Sequence, residues 1–219
     1  MAKPQPAYVK RSAPRLYLVT PPIDEASGFA DALASALGAA DVAAVLLRLA
    51  PADERTLINR VKALAGVVQP KDVALVLDGH AEIVARAGAD GAHLTGIEAF
   101  SAALELLKPV RIAGCGGLKT RHDAMLAGER GADYVMFGEA EPNGRRPSFK
   151  AIVERIQWWA ELFEIPCVGF AAGLHEIAPL SAAGTDFVAV GTSLWDDPRG
   201  PAAAVAEAAE QLTTPEVVA

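Results

Sequence analysis

Apolar runs of strand length alternate along the chain with alanine-rich stretches of helical length. The runs are RLYLVT (15–20), VAAVLLR (42–48), DVALVLD (72–78), DGAHL (90–94), VRIAG (110–114), DYVMFG (133–138), PCVGF (166–170) and DFVAVG (186–191). Hydrophobic character within them is continuous rather than alternating, as in strands covered on both faces, and the segments between them are long enough for helical crossovers. Eight such units within 219 residues meet the minimum for a closed barrel. The pattern therefore predicts an α/β protein, a single (β/α)8 TIM barrel. An open doubly wound sheet is the competing arrangement, but the first strand-to-helix turn, VTPPIDEAS, lacks the glycine fingerprint of a dinucleotide fold.

A recurring punctuation supports the count. GADGAHL at 88, GADYVMF at 131 and GTDFVAV at 184 each place an aspartate two residues after a glycine, just before a strand. Glycine closes the preceding helix in a left-handed conformation, and the aspartate can accept from backbone amides at the turn. Asp90, Asp133 and Asp186 are thus expected on the N-terminal face of the barrel, as structural residues.

Composition narrows the function classes. The chain is 52% hydrophobic and 21% charged, which describes a folding domain. A formal charge of −7 argues against a nucleic-acid partner, which would need cations gathered on one face. No run has the length of a membrane span or the build of a signal peptide, so no membrane association and a cytoplasmic location are expected. Cys115 and Cys167 are too few and too far apart for a disulfide framework or a metal cluster. The expected organisation is one domain over 15–212, flanked by disordered segments 1–14 and 213–219.

Chemistry in such a barrel belongs at the C-terminal ends of the strands. Those ends read VTPP at 19, LLRLAP at 46, LDGH at 77, HLTGIE at 93, AGCGG at 113, GEAEPNGRRPSF at 138, GFAAG at 169 and GTSLW at 191. Arg48 ends the second strand, where an unpaired buried guanidinium would cost several kcal/mol. At a barrel mouth it can instead meet Asp78, Glu98 or an anionic ligand. Gly173 and the turn Gly191-Thr192-Ser193 can offer backbone N–H groups and hydroxyls to a phosphate; the competing role is a plain helix cap. His93 points toward the mouth as a satisfied core histidine or a catalyst. Cys115 is expected to pack, and His80, His122 and His175 to sit at helix starts. None of the eight strands contains lysine, which disfavours Schiff-base aldolase chemistry.

With these ends in view, the chain resembles the thiamine phosphate synthase and TenI family over roughly residues 15–210. The resemblance rests on LYLVT, the strand-ending Arg48, Asp78, GADGAHL followed by Glu98, GADYVMFG and GTDFVAVGTSLWDDP. It implies a transferase of thiamine biosynthesis that joins a pyrimidine diphosphate to a thiazole phosphate, or a TenI isomerase, acting on a small phosphorylated heterocycle. By the same resemblance, Arg48 would hold diphosphate, and Asp78 and Glu98 would hold Mg2+. His93 is kept from the fourth-strand motif, and Lys119 stands near the fifth-strand histidine slot. Arg145, Arg146 and Lys150 would supply the cations of the sixth loop, and Gly173, Gly191, Thr192 and Ser193 would hold the thiazole phosphate. The sequence departs from the family at Leu46, Leu49 and Ala50, where the second-strand motif has Gln, Glu and Lys, at Leu77 in place of Asn, and at Ala171-Ala172 in place of a glycine pair. These departures keep two other readings in play: a catalytically silent relative binding a phosphate metabolite or a protein, and a different phosphate-handling barrel enzyme. A homo-oligomer is also left open.

Overall fold

A computed structural model describes residues 13–141 and 143–212. The terminal segments expected to be disordered lie outside these residues, apart from 13 and 14. Eight strands, β1 (Arg15–Val19), β2 (Val42–Leu47), β3 (Ala74–Asp78), β4 (Gly91–Thr95), β5 (Ile112–Gly116), β6 (Tyr134–Phe137), β7 (Cys167–Ala171) and β8 (Phe187–Val190), close into a barrel. All neighbours are parallel, and β8 pairs with β1. Helices α1 (Ala26–Leu37), α2 (Glu54–Val68), α3 (Val84–Ala87), α4 (Ile97–Leu107), α5 (Arg121–Glu129), α6 (Phe149–Leu162) and α7 (Ile177–Ala182) form the crossovers, followed by α8 (Thr192–Trp195) and α9 (Pro201–Glu210).

The unbroken apolar runs have a direct cause, because successive residues of a strand feed two different cores. Leu16, Leu18, Val45, Leu47, Leu75 and Leu77 point outward, into a layer shared with Leu33, Leu64, Phe100, Ile156 and Trp159 of the helices. Tyr17, Val19, Leu46, Val76, Tyr134, Met136, Val168 and Ala189 fill the barrel interior. One inward row carries unusual chemistry. Asp78, His93 and Gly114 are register partners across β3, β4 and β5, and Gly114 faces Tyr134 of β6.

The glycines of β5 make room for this row. A Cβ on Gly114 would lie 2.1 Å from Tyr134 Cζ, and one on Gly116 would lie 1.9 Å from Glu139 Oε2 and 2.5 Å from His93 Nε2. The glycine-rich AGCGG is therefore a gap in the barrel wall that larger inward side chains occupy.

The three repeated aspartates sit at the opposite, N-terminal rim. Asp90 accepts from Leu75 N–H at 2.7 Å, Asp133 from Ala113 N–H at 2.7 Å and Asp186 from Cys167 N–H at 2.8 Å. Each ties the start of its own strand to the start of the preceding one, satisfying an amide that the parallel ladder leaves over.

Candidate active site

At the C-terminal ends of β2 to β6 lies a cavity of about 760 Å³, whose wall includes Arg48, Asp78, Lys119, Glu139 and Arg155. Arg48 is half-buried. Its backbone N–H donates to Thr20 Oγ1 at 3.0 Å, which fixes the strand end, and its Nε donates to Asp78 Oδ2 at 3.1 Å. Its two terminal nitrogens have no protein partner among the described residues, so the guanidinium can still receive an anion in bidentate fashion. Across the cavity, Arg155 of α6 donates to the carbonyls of Leu118 and Lys119 at 2.7 and 3.1 Å, holding the loop after β5 against the wall. The Lys119 side chain stands exposed at the rim.

Beneath the cavity a hydrogen-bonded chain runs into the barrel. Tyr17 and Tyr134 share a bond of 2.8 Å between hydroxyls, Tyr134 Oη lies 2.9 Å from His93 Nδ1, and His93 Nε2 lies 3.0 Å from Glu139 Oε1. The chain ends where Gly117 N–H donates to Glu139 Oε2 at 3.0 Å. Tyr134 also stacks on the His93 ring, with centroids 5.6 Å apart and planes 12° from parallel. Burial alone would strip the proton from His93, but the charge and hydrogen bond of Glu139 outweigh it and hold the pKa above the ordinary histidine value. Burial likewise pushes Glu139 up, yet His93, then Gly117 N–H and Arg48, bring its pKa below the usual carboxylate range. Each partner thus favours the charged form of the other, and the Glu139 carboxylate faces the cavity with 13% of its side chain exposed.

Neither Glu139 nor the two tyrosines was among the candidates drawn from sequence. The available signal was the period of two, which places Tyr17 and Tyr134 inward on the strands that carry them. Glu139 has no such signal, because it follows β6 in a loop.

The remaining candidates occupy other places. Glu98 is exposed in the first turn of α4 and does not line the cavity that contains Asp78. Arg146, expected to offer its charge to phosphate, is committed to protein groups instead. It donates to Gly138 O at 2.6 Å, to Phe170 O at 2.5 Å and to Glu176 Oε1 at 2.9 Å. Glu176 in turn accepts from Ala172 N–H at 2.8 Å. This latch joins the ends of β6 and β7, an arrangement that only the packed barrel creates. Arg145 is exposed, and Lys150 is exposed beside Glu154 at 3.8 Å.

Gly173 and the turn Gly191-Thr192-Ser193 stand at the ends of the paired strands β7 and β8, outside the lining of the cavity described above. Trp195 donates its indole N–H to Val19 O at 2.7 Å and packs on Phe29, drawing α8 over the end of β1. Ser193 Oγ is buried and has no partner among the described residues. Cys115 is buried, its thiol pushed up to about 12 by that burial, so it packs and does not act as a nucleophile. Trp159 is fully buried, while Trp158 carries the Arg121 guanidinium over its ring at 4.7 Å.

Oxygen donors for a magnesium ion are present in part. Asp78 presents a cavity-facing carboxylate whose Oδ1 has no protein partner among the described residues, which suits an ion that takes one or two carboxylates together with substrate phosphate. Glu139 has both oxygens engaged. No group of three or more His, Cys, Asp or Glu side chains converges among the described residues, so substrate oxygens and water would complete the shell.

Comparison with known proteins agrees with this geometry. A family model described as thiamine monophosphate synthase matches residues 16–194. The chain is 43% identical to the thiamine-phosphate synthase of Rhodospirillum centenum over 196 residues, covering 88% of this chain and 95% of that protein. It is 37% identical to that of Hyphomonas neptunium over 203 residues, covering 89% and 92%. Among solved structures, the thiamine phosphate pyrophosphorylase of Pyrococcus furiosus superposes with a TM-score of 0.75 at 21% identity, covering 90% of this chain and 95% of that one. A 3-hexulose-6-phosphate synthase follows the same barrel with a TM-score of 0.68 at 16% identity. No described helix is long and apolar enough to cross a membrane. The matched span runs from the first strand to the short helix after the last, and the chain belongs to the thiamine monophosphate synthase family.

Proposed function

We propose that the protein is a thiamine-phosphate synthase, joining a hydroxymethylpyrimidine diphosphate to a thiazole phosphate. The observation that carries this reading is the free fork of Arg48, placed beside Asp78 in a cavity with Lys119 and Arg155 on its wall. That arrangement suits a diphosphate that must leave. The bond between the pyrimidine methylene and the diphosphate oxygen breaks with its electron pair going to oxygen, and the thiazole nitrogen then donates its pair to the methylene carbon. Arg48 and Lys119 receive the departing charge, which is worth most where it develops in the transition state. Asp78 would hold magnesium, which would supply neutralising charge to the leaving group. Ser193, whose buried hydroxyl has no partner among the described residues, and the backbone of Gly173, Gly191 and Thr192 receive the thiazole phosphate. Arg145 and Lys150, both exposed near the sixth loop, supply further charge around the bound phosphates.

The test is direct incubation of the purified protein with both substrates and magnesium, followed by detection of thiamine phosphate. Product formation that falls at least tenfold in kcat/KM for Arg48→Ala, about 1.4 kcal/mol of transition-state stabilisation, is the expected outcome. Ligand binding without product at high protein concentration would identify a silent relative, and absence of both would leave another barrel enzyme.

A further inference from the structure

The carboxylate of Glu139 has no role in the leaving-group chemistry, yet both of its oxygens are held in place at the cavity wall. One oxygen is held by His93 at 3.0 Å and the other by Gly117 N–H at 3.0 Å. His93 is itself fixed by Tyr134, and Tyr134 by Tyr17. The absence of a side chain at Gly116 leaves the space that the carboxylate fills. A carboxylate offers about four acceptor positions, and these contacts use two of them. The unused lone pairs can only be reached from the cavity, since the rest of the side chain is enclosed.

Leu46 and Met136 are apolar, and Asp78, though it keeps Oδ1 free among the described residues, lies against the Arg48 guanidinium. Glu139 thus presents a preorganised acceptor beside the apolar side chain of Met136, which suits a flat heterocycle bearing an N–H donor. A phosphate would be repelled by the same carboxylate and drawn instead to the terminal nitrogens of Arg48.

We propose that Glu139, oriented by His93 and Gly117, is a specificity-determining residue that accepts a hydrogen bond from the exocyclic amino group of the pyrimidine. The assignment rests on the synthase reading above and adds the contact that tells an aminopyrimidine from one without the donor. Losing a charge-assisted bond of this kind leaves a buried acceptor unpaired, so discrimination of tenfold or more is expected from this single contact.

The experiment is a cycle of two substrates and three proteins. The natural aminopyrimidine diphosphate and its analogue with methyl in place of the amino group are compared in kcat/KM on the parent, Glu139→Gln and Glu139→Asp; the intrinsic difference in substrate reactivity cancels between proteins. Glu139→Asp keeps the charge but draws it back by one methylene, and it serves if Glu139→Gln does not fold. The preference for the amino substrate is expected to fall at least tenfold in each variant that folds. A preference within twofold of the parent in either folded variant overturns the proposal. If the parent makes no thiamine phosphate at all, the synthase reading fails on its own. Calorimetric binding of the same two pyrimidine diphosphates to parent and variants then reads the Glu139 contact by the same ratio.

Discussion

Gly116 decides whether the His93–Glu139 pair can exist. A methyl group there would occupy the place of Glu139 Oε2 and press on His93 Nε2 at 2.5 Å, so both side chains of the pair, and no backbone atom, would have to give way. Gly116→Ala is therefore expected to keep its circular dichroism spectrum while kcat/KM falls about tenfold or more, because the carboxylate is turned out of its cradle. The pair also predicts how stability follows pH. The folded pKa of His93 lies above its ordinary 6.5, so its contribution is complete below that value and is lost as pH rises through the raised folded pKa. Glu139 lies below its ordinary 4.5, so its contribution is complete above that value and is lost as pH falls through the lowered one. Both are present together between these two ordinary values. Urea unfolding of the parent and of Glu139→Gln, from about pH 4 to about pH 9, should show their difference peaking in that window at roughly 1–3 kcal/mol and shrinking toward either end.

Between elements, the latch from Arg146 to Glu176 joins the loop after β6 to the end of β7. One guanidinium reaches two carbonyls and a carboxylate at once, a fork that lysine does not reproduce. Arg146→Ala would leave Glu176, which is nearly buried, without its counter-charge. A loss of about 3 kcal/mol in unfolding free energy is expected, largely relieved when Glu176→Gln is added, as a double-mutant cycle would record. Arg146→Lys should recover little of it. The basic cluster GRRPSFK reads in sequence as a set of equivalent cations. The latch explains why they are not: Arg146 lies against the carbonyls of Gly138 and Phe170, while Arg145 and Lys150 point to solvent.

In the whole barrel, the two rims divide the work. Asp90, Asp133 and Asp186 tie strand starts together at one rim, and Arg48, Asp78 and Glu139 face the cavity at the other. Asp186→Ala should lower the unfolding free energy by about 1–3 kcal/mol, through the lost acceptor for Cys167 N–H, and leave kcat/KM within twofold. Arg48→Ala, at the other rim, should do the reverse. Paired measurements of melting and turnover on the two variants check the division.

The strand count, the order of the elements and the structural role of the three aspartates were legible in the chain itself, because each depends on local pattern: apolar runs, helical spacers and a glycine–aspartate turn before a strand. Arg48 and Asp78 were legible as mouth residues for the same reason, since a strand end locates them. The partnership of His93 with Glu139 was not, nor was the separation of Glu98 from Asp78 or the diversion of Arg146 into a latch. His93 and Glu139 are 46 positions apart, and they meet only because barrel closure sets the register of β4, β5 and β6 and the glycines of β5 leave the space between them empty. Local pattern determines which way a side chain leaves its strand; what it meets there is decided by the register and the vacancies of strands distant in sequence.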